Sequence, residues 1–186
     1  MDDHDPHPPA AASVRPERPD DHAAIARVVA DAFGSEAEAR LVEAIRASDA
    51  YLPELALVAE LDGAVVGHVM VSYVALEDDD GVRRRITSLS PLAVAPTQHR
   101  RGIGSALVRA VTAAADQRHE PLVVLEGDPA YYGRFGFEPS VPHGIAITLP
   151  SWASPEAAQV LRLRAYDPAI VGRVVYPPAF DAFAEH

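Results

Sequence analysis

The run His99-Arg100-Arg101-Gly102-Ile103-Gly104 has residue types and spacing suited to one kind of chemistry, the binding of a phosphate or pyrophosphate. It follows an apolar stretch (Leu89, Leu92, Ala93, Val94) through Pro96 and leads straight into a helical pattern, so it joins a strand to a helix. The first backbone N–H groups of a helix have no intrahelical acceptor, and the helix dipole favours negative charge there. Gly102 and Gly104 carry no Cβ, which lets an anion approach the backbone closely. Arg100 and Arg101 add fixed charge that can fork onto phosphate oxygens. The same residues also fit a plain strand-to-helix turn with solvated arginines.

The chain around this run has 186 residues, 48% hydrophobic and 23% charged, which is the composition of an ordinary globular domain with a real core. Residues 1–12 are acidic and proline-rich and read as a disordered tail, with His4 and His7 belonging to it rather than to a metal site. Residues 13–186 read as a single domain. There is no cysteine, so disulfides and thiolate chemistry are excluded. The formal net charge of −11 argues against a nucleic-acid surface, which needs broad basic patches. No apolar run approaches the roughly 18 residues of a membrane helix, and the start of the chain lacks the pattern of a secretory signal. A cytoplasmic protein with no membrane partner is expected. Arg83-Arg84-Arg85 and His99-Arg100-Arg101 flank one strand, which suggests a basic pocket for a small polyanion; Arg83 to Arg85 read equally well as a solvated hairpin end.

Several elements must position the glycine turn. Val14-Arg15 suggests a short first strand. Asp20 or Asp21 caps a helix with Ile25, Val28, Val29 and Ala32 on one face, ended by Gly34. Ser35 to Glu38 is a capping-box pattern that starts a second helix with Leu41, Val42 and Ile45 inward. Leu55 to Leu61, Asp62-Gly63 and Ala64 to Val74 predict a hairpin. A turn at Glu77 to Gly81 then leads to a third strand over Ile86 to Val94. The helix after the glycine turn spans about Gly102 to His119, with Ile103, Leu107, Val108 and Val111 buried. Leu122 to Leu125 reads as a central strand, Asp128-Pro129 starts a short helix, and Gly136 ends it. Ile145 to Leu149, Ala157 to Arg164 and Val174-Val175 supply further short strands.

With both motifs in place, the chain resembles the GNAT superfamily of acyl-CoA-dependent N-acetyltransferases. His99-Arg100-Arg101-Gly102-Ile103-Gly104 is similar to its Gln/Arg-x-x-Gly-x-Gly/Ala signature. Tyr132-Gly133-Arg134-Phe135-Gly136-Phe137 is similar to its Tyr-x-x-x-Gly-Phe signature. The version running from Gly127 to Phe137, with Val175-Tyr176-Pro177-Pro178-Ala179-Phe180, resembles the YhbS-like branch. The resemblance covers about residues 13–180 and implies an α/β (α+β) fold, a mixed, splayed central sheet flanked by helices.

It further implies acetyl-CoA as co-substrate, with no metal. Backbone groups of Leu92, Ala93 and Val94 would pair with the pantetheine arm, and the N–H groups from Arg100 through Arg101, Gly102, Ile103 and Gly104 to Ser105 would hold the pyrophosphate. His99 stands where the family has Gln or Arg; it reads as a pH-dependent contact or as a surface histidine without a role. Asp128 falls on the cofactor side, with a helix cap as its other reading. Tyr132 holds the family position of the general acid to the CoA thiolate, while packing of the short helix is its structural reading. Tyr131 could line the acceptor pocket. Glu126, ending the second splayed strand, and His68 are candidate bases, and a water chain is the alternative to both.

Two other functions fit parts of the pattern. Gly102-x-Gly104 with Glu126 at the end of the next strand resembles a dinucleotide-binding oxidoreductase, but Leu107 stands where the third glycine belongs. A non-catalytic acyl-CoA sensor would use the same fold. Net acidity favours a cationic primary amine as acceptor, and residues 143–164, with Trp152, are expected to shape its side of the cleft. A homodimer is compatible with the sequence.

Overall fold

The computed structural model describes residues 11–183, so the tail expected over residues 1–12, with its histidines, lies almost wholly outside the described residues. Strand alternation builds one nine-stranded mixed sheet. β1 (Ser13–Pro16) is followed by α1 (His22–Phe33) and α2 (Ala37–Arg46), then by β2 (Ala56–Leu61), β3 (Ala64–Glu77) and β4 (Arg83–Val94). These four strands pair in order, each antiparallel to the last. The β2–β3 turn is the predicted one, with positive φ at Asp62 and Gly63.

The turn after β4 enters α3 (Ile103–Gln117), which crosses over to β5 (Leu122–Glu126), parallel to β4. Beyond lie α4 (Pro129–Tyr132), β6 (Glu138–Pro139), β7 (Ile145–Ala146), β8 (Ala158–Arg162) and β9 (Gly172–Val175). β8 pairs with all of β5, while β9 pairs with the far end of β3.

Because side chains alternate along a strand, the sheet has two unlike faces. Leu57, Val69, Val71, Leu89, Val123 and Leu125 pack against Ile103, Leu107, Val108 and Val111 of α3. On the other face, Ala56, Val58, Met70 and Ala93 lie under Ile25, Val28 and Val29 of α1 and Leu41, Val42 and Ile45 of α2. Each of the Val, Leu, Ile and Met side chains, fully buried, contributes about 1.5–3 kcal/mol. The expected caps differ in detail. The Asp21 carboxylate binds Arg15 and the Arg18 N–H rather than the start of α1, and the Ser35 Oγ accepts the Ala37 N–H at 3.0 Å.

Candidate functional site

β4 and β5 share only the rungs Thr87↔Val123 and Ser88↔Val124. Beyond Ser88 the strands separate. The cause lies in β4, where Val71 faces Leu89 but Val69 faces Leu92, so β4 carries one residue more than β3 between these rungs. A bulge of this kind bends its strand. It leaves the edge from Leu89 to Val94 without a strand partner on its outer side.

Backbone direction along that edge follows from one hydrogen bond. The Ala95 N–H donates to the Val66 carbonyl at 2.9 Å, and antiparallel ladders alternate every second residue. Ala93 therefore turns its N–H and C=O toward His68 on β3, whereas Leu92 and Val94 turn theirs into the gap. Of the three residues expected to meet a pantetheine arm, Ala93 is not at the open edge. Leu92 and Val94 line a cavity of about 610 Å³ together with Gly102, Ile103, Gly104 and Ser105, within the range of about 300–1,000 Å³ common for ligand pockets.

The mouth of that cavity is the N-terminus of α3. The first intrahelical bond runs from the Ala106 N–H to the Gly102 carbonyl at 2.9 Å, so the N–H groups of Ile103, Gly104 and Ser105 precede the ladder and can serve an anion. Arg100 adopts φ 62° and Gly102 φ 79°, which wraps the loop around the helix start. Arg101 turns away to Gln98, bonding its Oε1 at 2.6 Å. His99 places Nε2 2.9 Å from the Val94 carbonyl, folding back onto the strand end.

α4 forms the opposite wall. Asp128 does not line the cavity; its Oδ1 accepts the Ala130 N–H at 2.9 Å as the N-cap of α4. Tyr131 crosses the gap, and its hydroxyl lies 2.6 Å from where a Cβ on Gly104 would stand. The Arg134 guanidinium sits 4.5 Å from the Tyr131 ring centroid and also lines the cavity. Tyr132 packs edge-on against Tyr131 and Phe137, on the α3 side of the sheet. Burial, helped by its tyrosine neighbour, raises its pKa well above the usual phenol value.

Glu126 shares the opposite face with Leu122 and Val124, by the same alternation. Desolvation at the strand end holds its carboxyl above the usual glutamate range, although the Tyr176 hydroxyl donates to Oε1 at 3.0 Å and pulls the other way. Tyr132 and Glu126 thus lie on opposite faces of the sheet beside the end of β5, and neither lines the cavity, which Tyr131 reaches instead.

His68, the other candidate base, is not at the gap. It is fully buried under α1 and α2, with Nδ1 3.8 Å from the Glu17 carboxylate. Burial pushes its pKa down to about 4, against the pull of Glu17. Glu17 also binds Arg46 (2.8 Å) and the Tyr51 hydroxyl (2.7 Å); burial opposes its charge, and these two bonds outweigh it. This buried ionic cluster pins α2 to the sheet and has no motif to announce it.

The pocket imagined between the two arginine clusters does not form. β4 puts them at opposite ends, with about 30 Å of extended chain from Arg85 to Val94; Arg83 binds Glu77 and Arg85 binds Asp49. Trp152 is 80% exposed and does not line the cavity. Sequence reasoning missed Phe33 and Arg134 as lining residues. Phe33 was detectable only as the last apolar residue before Gly34, and Arg134 only as a variable position inside the second motif. Among the described residues, no group of three or more His, Asp or Glu could hold a metal ion.

The arrangement matches known proteins. The model of the acetyltransferase (GNAT) domain matches residues 13–140. The N-acetyltransferase YhbS of Escherichia coli K12 is 35% identical over 174 residues, covering 91% of this chain and 99% of YhbS. YjhQ of the same organism is 33% identical over 116 residues, 62% of this chain and 63% of YjhQ. The crystal structure of E. coli YhbS in complex with CoA superposes with a TM-score of 0.82 at 32% identity, covering 96% of both chains. A Brucella melitensis GNAT acetyltransferase in complex with acetyl-CoA gives 0.73 at 32% identity, covering 92% of this chain and 99% of that one. These matches remove the dinucleotide-binding alternative. With its splayed sheet and a glycine turn opening the helix beside the gap, the chain belongs to the GNAT family of N-acetyltransferases.

Proposed function

We propose that this protein transfers an acetyl group from acetyl-CoA to a primary amine by direct attack. The observation that carries the reading is the gap beyond Ser88↔Val124, which opens beside the unpaired N–H groups of α3. Those N–H groups, with Arg100, hold the pyrophosphate. The outward N–H and C=O groups of Leu92 and the outward N–H of Val94, whose carbonyl His99 already engages, hold the pantetheine arm, and one of the N–H groups polarises the thioester carbonyl. Acetyl-CoA supplies the acyl thioester when bound.

The amine nitrogen attacks the carbonyl carbon and the C–S bond breaks. Glu126 takes the proton that the amine loses, and Tyr132 gives its proton to the departing thiolate. Burial keeps the Tyr132 hydroxyl protonated until the thiolate develops, and it raises the Glu126 carboxyl, which makes that group the better base. A cationic acceptor is favoured by the net charge of −11 and by the Glu126 carboxylate at the gap.

The test is free-CoA release from acetyl-CoA over an amine panel, repeated with Tyr132→Phe. The variant is expected to keep CoA affinity and lose about 10²-fold or more in kcat. Unchanged turnover would remove Tyr132 from the mechanism. Tight CoA binding with no turnover of any amine would instead favour an acyl-CoA sensor. All 16 Lys+Arg residues are arginines, so no lysine of the chain competes as acceptor.

A further inference from the structure

We infer that Tyr176 is a positioning residue for acetyl transfer, holding the Glu126 carboxylate in place at the gap and making the C-terminal segment part of the acceptor site. This rests on the reading of Glu126 as the base. Tyr176 directly follows β9, which is fixed to β3 by the rungs Ala75↔Val175, Leu76↔Val174 and Glu77↔Arg173. From there the tyrosine packs over the sheet face opposite α3, in the cluster of Val74, Ile86 and Val124. Its ring stacks on Phe180 with centroids 4.9 Å apart, and Phe180 packs in turn on the core under α2. The ring is therefore held from both sides along the chain.

Its hydroxyl ends at the fork of the two diverging strands. It donates to Glu126 Oε1 at 3.0 Å, beside the buried Ser88. Ser88 belongs to the last rung before β4 and β5 separate, and Glu126 is the last residue of β5. A hydroxyl held at this point fixes one carboxylate oxygen and leaves the other for the amine. Among the described residues, no cationic side chain contributes to the Glu126 environment. Among the described residues the titratable side chain in contact with it is Tyr176; Tyr132 lies on the other face, against Gly127, and Asp128 turns Oδ1 to the Ala130 N–H. Removing the Tyr176 hydroxyl therefore removes the hydrogen bond that, among the described residues, favours the charged carboxylate, and Glu126 must titrate at higher pH.

The experiment is a carboxyl ¹³C NMR titration of the CoA-bound protein labelled at glutamate, with the Glu126 signal assigned by its loss in Glu126→Gln. Tyr176→Phe keeps the ring and its stacking. It is expected to move the Glu126 midpoint upward by on the order of half to one pH unit. The acid limb of kcat/KM for an accepted amine moves by the same amount. An unmoved midpoint in a folded Tyr176→Phe overturns the inference while leaving the base role of Glu126 standing. Full turnover by Glu126→Gln overturns that base role, and the positioning role of Tyr176 with it.

Discussion

The ring of Tyr132 lies directly on Gly127, so that a Cβ at Gly127 would stand 2.5 Å from Tyr132 Cε2. Gly127 is the first residue after β5, and its N–H is tied to the Ala157 carbonyl at 3.0 Å while its carbonyl accepts from Gln159 Nε2. The backbone therefore cannot yield easily, and a side chain there must push the tyrosine. Gly127→Ala is expected to lower kcat by about tenfold or more with CoA affinity held within about twofold, since misplacing a reacting group by a fraction of an ångström is costly. Single-turnover kinetics beside CoA titration checks this.

The two arginine clusters should behave differently. Arg100 lines the cavity at the α3 N-terminus, whereas Arg84 sits at the opposite end of β4. Arg100→Ala is expected to raise the KM for acetyl-CoA several-fold, roughly the 1 kcal/mol scale of a partly exposed charged contact, and to flatten its salt dependence. Arg84→Ala should leave both unchanged. Steady-state kinetics at two ionic strengths distinguishes them.

Stability should fall on mild acidification because of His68. Its pKa in the fold is about 4, below the 6.5 of the free side chain, so the unfolded chain binds the extra proton between these values. Stability is thus complete above about pH 6.5 and declines as the pH drops toward 4, by an amount on the order of 2–3 kcal/mol. Glu17, whose pKa is lowered, adds to the loss only further down, as the pH falls below the ordinary glutamate range. Urea unfolding at pH 7 and pH 5 measures the decline. His68→Met should flatten it over this window.

Removing Arg46 should be costly. It is the cation bound to Glu17, whose side chain is only 1% exposed, so Arg46→Met leaves a buried carboxylate without its ion pair. A loss of about 3 kcal/mol is expected. Chemical denaturation checks it, and Glu17→Gln in the Arg46→Met background should recover part of the loss, which a pure packing defect would not allow.

The amino-acid sequence by itself determined the elements and both motifs. Apolar periods of two and near four, glycine and proline punctuation, and the Asp62-Gly63 turn are local signals, and β2, β3, α3, β5 and α4 fall where those signals put them. The glycine turn was legible for the same reason, since a helix start is an anion site wherever it occurs. Only the tertiary structure decided how the candidates face one another. Which carbonyls of β4 look into the gap depends on its register against β3, and this turned Ala93 inward and left Leu92 and Val94 outward. The length of β4 kept Arg83 to Arg85 away from the cavity. His68 went under two helices rather than into the cleft because it lies two positions from Met70 and so shares the face of β3 that α1 and α2 cover. Tyr176 meets Glu126 across 50 positions of sequence. Pairing at that distance is set by sheet topology and leaves no mark in either neighbourhood alone.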